Sequence, residues 1–437
     1  NMNVTIPNKK FGGSVDIPES KDLAHRWLIA QALAGETDVI QLKNISRDIV
    51  STIRCIEGLG LGKTERGPVI GREICYLDCG DSRSTYKLIL PVAAALGKTC
   101  EFHAGSFLTE KSSKALYKAL KVHGIRHEEK ENGTITISGR LTGGTYIIPG
   151  DVSPQFISGL LMAAPLLSIT STFIIQGEIA HINFIQMTID VLKACGIKLS
   201  MEKGKGDITY VFKVGGNQSY VLPDHPVMEK DWSMAGYWLC AGALTSGPIV
   251  CPNMNIDSLQ YDARILDILR EFGAKIDIYR QYGEYRSILP NHDSITVMGG
   301  NLHGIRVDAA DIPSLVPAIA LLACKASGMT IIRNAARLRG IESDRLKSVR
   351  DSLKELGADI REFKDGLIIS GPSADDPVKN RKHFLKGGKV TSCHDHRIAM
   401  MSAIASCISE MPVQVNNAEL VTKSYPDFFE DLVNLQK

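Results

Sequence analysis

The stretch "LKSVRDSLKELGADIREFKDGLIISG", residues 346–371, holds a complete structural unit. An amphipathic helix runs to Gly357, which stands where the helix must end. Glycine takes the left-handed backbone of a C-cap without steric penalty. Two short alternating strands then follow.

The same outline recurs at residues 51–67, 113–139, 187–216 and 263–288, with Gly60, Gly124, Gly196 and Gly273 in the stop position. "TITISG" and "ITYVFKV" show the alternation that suits strands packed on one face. A sixth such helix, "DFFEDLVNL", ends the chain without strands of its own. Between these lie six helices apolar nearly all round: "HRWLIAQALAG", "TYKLILPVAAALG", "QFISGLLMAAPLL", "MAGYWLCAGALTSG", "LVPAIALLACKASG" and "RIAMMSAIASC". A helix apolar on every side is a buried one. Short polar motifs precede them, with Ser20, Ser82, Ser153, Asp231, Asp311 and Asp395 as candidate caps. Six repeats in two sets of three would gather six helix N-termini, whose free N–H groups and partial positive charge suit anions.

At 437 residues the chain predicts two domains of about 200 residues each. With 44% hydrophobic and 22% charged residues and a net charge of +2, bulk electrostatics favours neither nucleic acid nor a membrane. No apolar run reaches the 18 residues of a membrane span. The ten cysteines form no CxxC pair and read as reduced thiols. No signal-peptide pattern opens the chain, and Asn1 ahead of Met2 reads as a remnant of cloning. The expectation is a cytoplasmic protein.

Anion binding must therefore come from locally placed cations. Lys21, Arg26, Arg83, Lys87, Lys111, Arg345, Arg397 and Lys423 gather near the starts of the buried helices. Arginine's planar fork suits a carboxylate and lysine's compact charge suits phosphate, so a substrate with both groups fits the mixture. "CHDH", residues 393–396, offers four metal-ligand types in a row, but adjacent side chains cannot all converge on one tetrahedral ion.

The runs "ESKDLAHRWLIAQALAG", "SPQFISGLLMAAPLL", "GIESDRLKSVRDSLKELGADI", "DHRIAMMSAIAS" and "TKSYPDFFEDL" resemble, in order and spacing, the 5-enolpyruvylshikimate-3-phosphate (EPSP) synthase family over essentially the whole chain. The resemblance implies an α/β fold, a two-domain inside-out α/β barrel of six βαβαββ repeats, three per domain. Residues 1–19 with 230–437 would form one domain and 20–229 the other, with the active site in the cleft between them. It implies transfer of the enolpyruvyl group of phosphoenolpyruvate to the 5-hydroxyl of shikimate 3-phosphate, with release of phosphate and no metal or organic cofactor. The partners would be these small anions, with no nucleic acid or membrane, and the protein a monomer.

By the same resemblance Lys21 and Lys423 contact the donor phosphate beside Gln155. Arg345 and Arg397 hold its carboxylate, and Glu342 moves protons at the methylene carbon together with Lys21. Glu342 and Arg345 would share one helix face, which also allows a plain ion pair. His396 and Ser314 complete the catalytic set. Asp22, Arg26, Arg83, Ser84, Lys87, Lys111, Ser153, His181 and Arg337 would line the substrate.

Several of these depart from the family pattern. Asp22 and Pro154 replace serines, and His181 and Phe184 replace a serine and a tyrosine. Ile341 replaces a lysine, with Arg337 nearby to compensate. Ser314 replaces an aspartate, Arg83 a glycine, and Lys87 and Lys111 arginines. Two alternatives stay open: a paralogue that uses the same cleft on another acceptor or for elimination on a shikimate-like ring, and a non-catalytic anion binder. The enolpyruvyl transferase acting on UDP-N-acetylglucosamine fits less well, because "GSFLTEKSSK" lacks its loop cysteine.

Overall fold

The structure, a computed structural model, describes residues 2–61, 74–105, 108, 111–245, 247–284, 291–373 and 384–437, without the side chains of Lys111 and Ser112. The chain divides into two compact units, residues 1–20 with 229–437 and residues 21–228.

Helices of the 21–228 unit are α1 (Lys21–Leu33), α2 (Arg47–Gly58), α3 (Arg83–Ala95), α4 (Lys111–Val122), α5 (Pro154–Ala163) and α6 (Ile182–Ala194). Those of the other unit are α7 (Trp232–Leu244), α8 (Ile265–Phe272), α9 (Val316–Lys325), α10 (Arg345–Glu355), α11 (His396–Ala405) and α12 (Phe428–Leu435).

One sheet topology repeats. Cys75–Gly80 pairs in parallel with Cys100–Ala104, which pairs antiparallel with Ile135–Gly139, which pairs antiparallel with Ile125–Glu129. A parallel pair needs a crossover, and α3 supplies it. The sheet from Gly144 to Val214 repeats this order around α5, and the sheet from Arg306 to Ser370 repeats it around α9. In a fourth sheet, Gly13–Ser14 pairs in parallel with Ile249–Met254, with the whole 21–228 unit inserted between them. Gly388–Thr391 and Val413–Asn416 form the last parallel pair, around α11, and Asn3–Ile6 joins them antiparallel. The sixth outline thus takes its missing strand from the start of the chain. In the first outline the helix is α2, and residues 62–73 lie outside the described residues.

The two helix classes behave as their patterns dictate. All thirteen residues of α7 and all ten of α11 are buried. Within α7, Trp238 stacks on Phe428 of α12 at 5.1 Å and donates Nε1–H to Tyr425 Oη at 3.1 Å. That contact anchors the terminal helix, and a buried aromatic pair contributes about 0.5–1.5 kcal/mol beyond its burial. Gly60, Gly124, Gly196, Gly273 and Gly357 all adopt positive φ.

Ser82, Ser153, Asp231 and Asp395 cap α3, α5, α7 and α11 through their side chains. Asp311 does not cap α9. Pro313 starts a 3-10 turn, Pro313–Leu315, whose cap position is Ile312 and carries no side-chain bond. Among the described residues no helix is long and apolar enough to cross a membrane.

Candidate active site

In the 21–228 unit the side chains cluster at the starts of α1, α3 and α5. Arg26, on α1, is wholly buried. Its Nε donates to Thr188 Oγ1 at 2.8 Å, Nη1 to the Asp22 carbonyl at 2.7 Å, and Nη2 to Gln155 Oε1 at 2.7 Å and the Phe184 carbonyl at 3.0 Å. Burial lowers its pKa to about 10, partly opposed by the Asp22 charge, so it stays charged at neutral pH. Arg26 thus ties the start of α1 to Gln155 at the start of α5. Because Gln155 Oε1 accepts from Arg26, its Nε2 faces Asp22 Oδ1 at 3.3 Å and Ser84 Oγ at 3.5 Å. Lys21 pairs with Asp48 at 2.7 Å, and its side chain keeps 23% exposure.

The rest of this unit's expected residues lie as follows. Ser153 Oγ accepts from the Gln155 N–H as the α5 cap, with Pro154 in the first turn, where its missing N–H is harmless. Arg83 opens α3, exposed. Lys87, one turn on, lies over the Phe156 ring at 5.5 Å. His181 takes left-handed backbone ahead of α6 and meets Phe184 edge-on at 6.3 Å. Lys111 starts α4, and its side chain lies outside the described residues.

In the other unit, Glu342 joins three elements. Its Oε1 lies 2.8 Å from Lys423 Nζ, and its Oε2 lies 3.1 Å from His396 Nδ1 and 3.7 Å from Arg345 Nη2. Glu342 is not on the helix of Arg345, which corrects the shared helix face. It precedes α10 at φ +51°, and the pair forms from a turn. Burial alone would raise its pKa, but the His396 hydrogen bond and the charges around it, with Lys423 and Arg345, hold the carboxyl well below the usual range. Burial also holds His396 at about 4 despite Glu342, so at neutral pH the ring is uncharged and donates through Nδ1.

Asp395, fully buried, accepts from Arg345 Nε at 2.7 Å and Nη2 at 3.1 Å, and from the Arg397 N–H at 2.9 Å. Arg397 donates Nη1–H to Ser233 Oγ and lies over the Tyr237 ring at 5.5 Å. Tyr237 Oη in turn donates to the Ser314 carbonyl at 3.0 Å. Arg337 is exposed in the 3-10 turn Ala336–Gly340.

Arg345 and Lys423 thus pair with Asp395 and Glu342 beside a neutral imidazole, whereas the Arg397 guanidinium is held by Ser233 and the Tyr237 ring. Glu342, Asp395 and His396 bring potential metal-ligand atoms within 4.8 Å of one another. Both carboxylates already neutralise protein cations, so the donor set suits an anion beside it better than a divalent ion within it.

Asp48, Ser233 and Tyr237 escape a reading of the sequence alone. Asp48 follows the α2 cap Ser46 like any first-turn acid, and nothing local marks it as the partner of Lys21.

The EPSP synthase (3-phosphoshikimate 1-carboxyvinyltransferase) family profile matches residues 6–432. A relative from Clostridium novyi (strain NT), named 3-phosphoshikimate 1-carboxyvinyltransferase, is 35% identical over 447 residues, covering 98% of this chain and 96% of its own. One of the same name from Clostridium acetobutylicum is 36% identical over 438 residues, covering 97% and 95%. Among solved structures, the EPSP synthase of Acinetobacter baumannii superposes with a TM-score of 0.76 at 22% identity, over 99% of this chain and 98% of that one. The enolpyruvyl transferase NikO of Streptomyces tendae gives 0.69 at 17%, over 99% and 97%. These two show the fold, the two-domain enolpyruvyl transferase architecture. With the repeats, the caps and the paired cations in place, the sequence match across nearly its full length shows that this chain belongs to the EPSP synthase family.

Proposed function

We propose that the protein transfers the enolpyruvyl group of phosphoenolpyruvate to the 5-hydroxyl of shikimate 3-phosphate and releases phosphate. The observation that carries this reading is the position of Glu342, a carboxylate held between Lys423 and a neutral His396, with Arg345 beside it. An anion binder needs cations, but it does not need a carboxylate among them.

In this reading Arg345 and Arg397 take the donor carboxylate. Arg345 keeps its Nη1 edge for that purpose, since Nε and Nη2 serve Asp395. Lys21, Lys423 and the Nε2–H of Gln155 take the donor phosphate. The reading requires residues of both units to close on one donor. The acceptor hydroxyl gives up its proton as its oxygen attacks the donor's central carbon, and one proton adds at the methylene carbon, so the tetrahedral adduct forms with no net proton change. Loss of one methyl proton, matched by proton uptake on the departing phosphate, then restores the double bond. With His396, Lys423 and Arg345 around it, Glu342 is ionised and ready as the base. An anionic donor draws Lys423 and Arg345 toward itself and raises the Glu342 pKa, which lets the carboxyl carry a proton between the two steps.

The substrates are small anions, and the near-zero net charge supports them over nucleic acid. The same reading has the protein work as a monomer in the cytoplasm, with no membrane partner. A second reading, transfer to a different acceptor, draws support from Asp22: a carboxylate beside Gln155 stands where the family carries a hydroxyl.

A phosphate-release assay with both substrates tests the proposal, with the product identified by mass. Release that depends on both supports the reading. Phosphoenolpyruvate binding without release would move the assignment to another acceptor.

A further inference from the structure

Helices α1, α2 and α3 of the 21–228 unit are tied together by buried polar side chains, one imidazole and three hydroxyls. His25 Nδ1 on α1 lies 2.7 Å from Thr52 Oγ1 on α2, and Thr52 Oγ1 lies 2.7 Å from Thr85 Oγ1 on α3. Thr85 Oγ1 in turn lies 2.7 Å from Ser82 Oγ. All four residues are buried. Thr85 Oγ1 also reaches the main-chain carbonyl of Asp48 at 3.2 Å, and the Asp48 carboxylate holds Lys21.

Proton accounting gives this chain a direction. A carbonyl only accepts, so the single hydroxyl proton of Thr85 goes to Asp48. Thr85 Oγ1 must then accept from both Thr52 and Ser82, which commits their protons. Thr52 is left to accept from His25. Ser82 still accepts the Thr85 N–H as the α3 cap at 3.2 Å, so every group is satisfied.

We infer that His25 is held as the Nδ1–H tautomer and that its bond through Thr52 and Thr85 sets the place of Asp48, and with it Lys21. His25 is then a positioning residue for the proposed transfer. The functional half of the inference rests on the role given to Lys21, whereas the tautomer does not. Burial keeps the ring uncharged at neutral pH, with a pKa of about 4, although Asp48 and Asp22 draw it up while Lys21 and Arg26 push it down. A neutral ring has one N–H, and the hydroxyl chain fixes which nitrogen bears it. His25 and Lys21 both lie on α1, a single helical turn apart, so the chain of bonds closes back on the helix that carries Lys21.

Long-range 1H–15N correlation at pH 7 on the full chain reads the tautomer. A protonated Nδ1 and a bare Nε2 at His25 are expected; an Nε2–H ring or a doubly protonated one overturns the inference. In kinetics, His25→Leu and Thr52→Val should each lower kcat/KM by about 10-fold. The double variant should lose no more than either alone, because both cut one chain. His25→Asn, whose amide nitrogen can replace Nδ1, should return to within about threefold of the parent. Unchanged kinetics in folded Thr52→Val, or no rescue by His25→Asn, overturns the positioning role. Should the parent protein prove inactive, the proposed reaction falls separately. The Lys21 side-chain signal still decides the positioning then, moving in Thr52→Val if the chain sets its place and staying put if it does not.

Discussion

At Glu342 the backbone sits at φ +51°, a conformation that a non-glycine side chain holds only where its surroundings fix it. Lys423, His396 and Arg345 do the fixing. Glu342→Gln keeps the shape and removes the base, so kcat should fall by about 10²–10⁴-fold while the protein stays folded; steady-state kinetics beside circular dichroism checks this, and a near-parental kcat would remove Glu342 from the chemistry. Asp395 is a different case. It neutralises a buried arginine, so Asp395→Asn leaves Arg345 only the longer Glu342 contact and should cost about 3 kcal/mol in urea unfolding. The buried histidines set an acid limit. His25 and His396 titrate at about 4 when folded against 6.5 when unfolded. The unfolded chain therefore binds more protons between those values, and stability falls as pH drops from about 6.5 through 4, by up to about 3 kcal/mol for each ring. The depressed Glu342 carboxyl pulls in the same direction at lower pH. Urea melts at pH 7, 5.5 and 4.5 should show that decline, and a flat profile would contradict the burial of neutral rings.

Among the elements, the repeat was legible because glycine and capping residues act locally. The stop glycines differ in their surroundings, which gives a test. A Cβ on Gly196 at φ +78° meets nothing within 4 Å, whereas one on Gly273 at φ +94° would sit 2.6 Å from the Asn301 carbonyl. Gly196→Ala should cost about 1–2 kcal/mol from backbone strain alone, and Gly273→Ala about 3 kcal/mol or more, compared by urea denaturation. Equal losses would mean that the helix end shifts to relieve the clash. Asp311 was misread as a cap because Pro313, two residues on, diverts the chain into a 3-10 turn. The Lys21–Asp48 and Arg345–Asp395 pairs, separated by 27 and 50 residues, carry no local pattern. The site's cations and Glu342 were readable from the family motifs, but Asp48 and Asp395 as the ion-pair partners of Lys21 and Arg345 were not.

Across the whole molecule, one sheet order recurs in both units, and the family match spans residues 6–432. The proposed function needs both Lys21 and Arg397 for donor binding. Calorimetric titration of phosphoenolpyruvate, in the presence of shikimate 3-phosphate, against Lys21→Ala and Arg397→Ala side by side tests that need. Each variant removes a charged hydrogen bond from a different unit, so each should weaken binding by about 10- to 150-fold. Parental affinity in either variant, with the other impaired, would mean that one unit binds the donor alone, and would contradict the account.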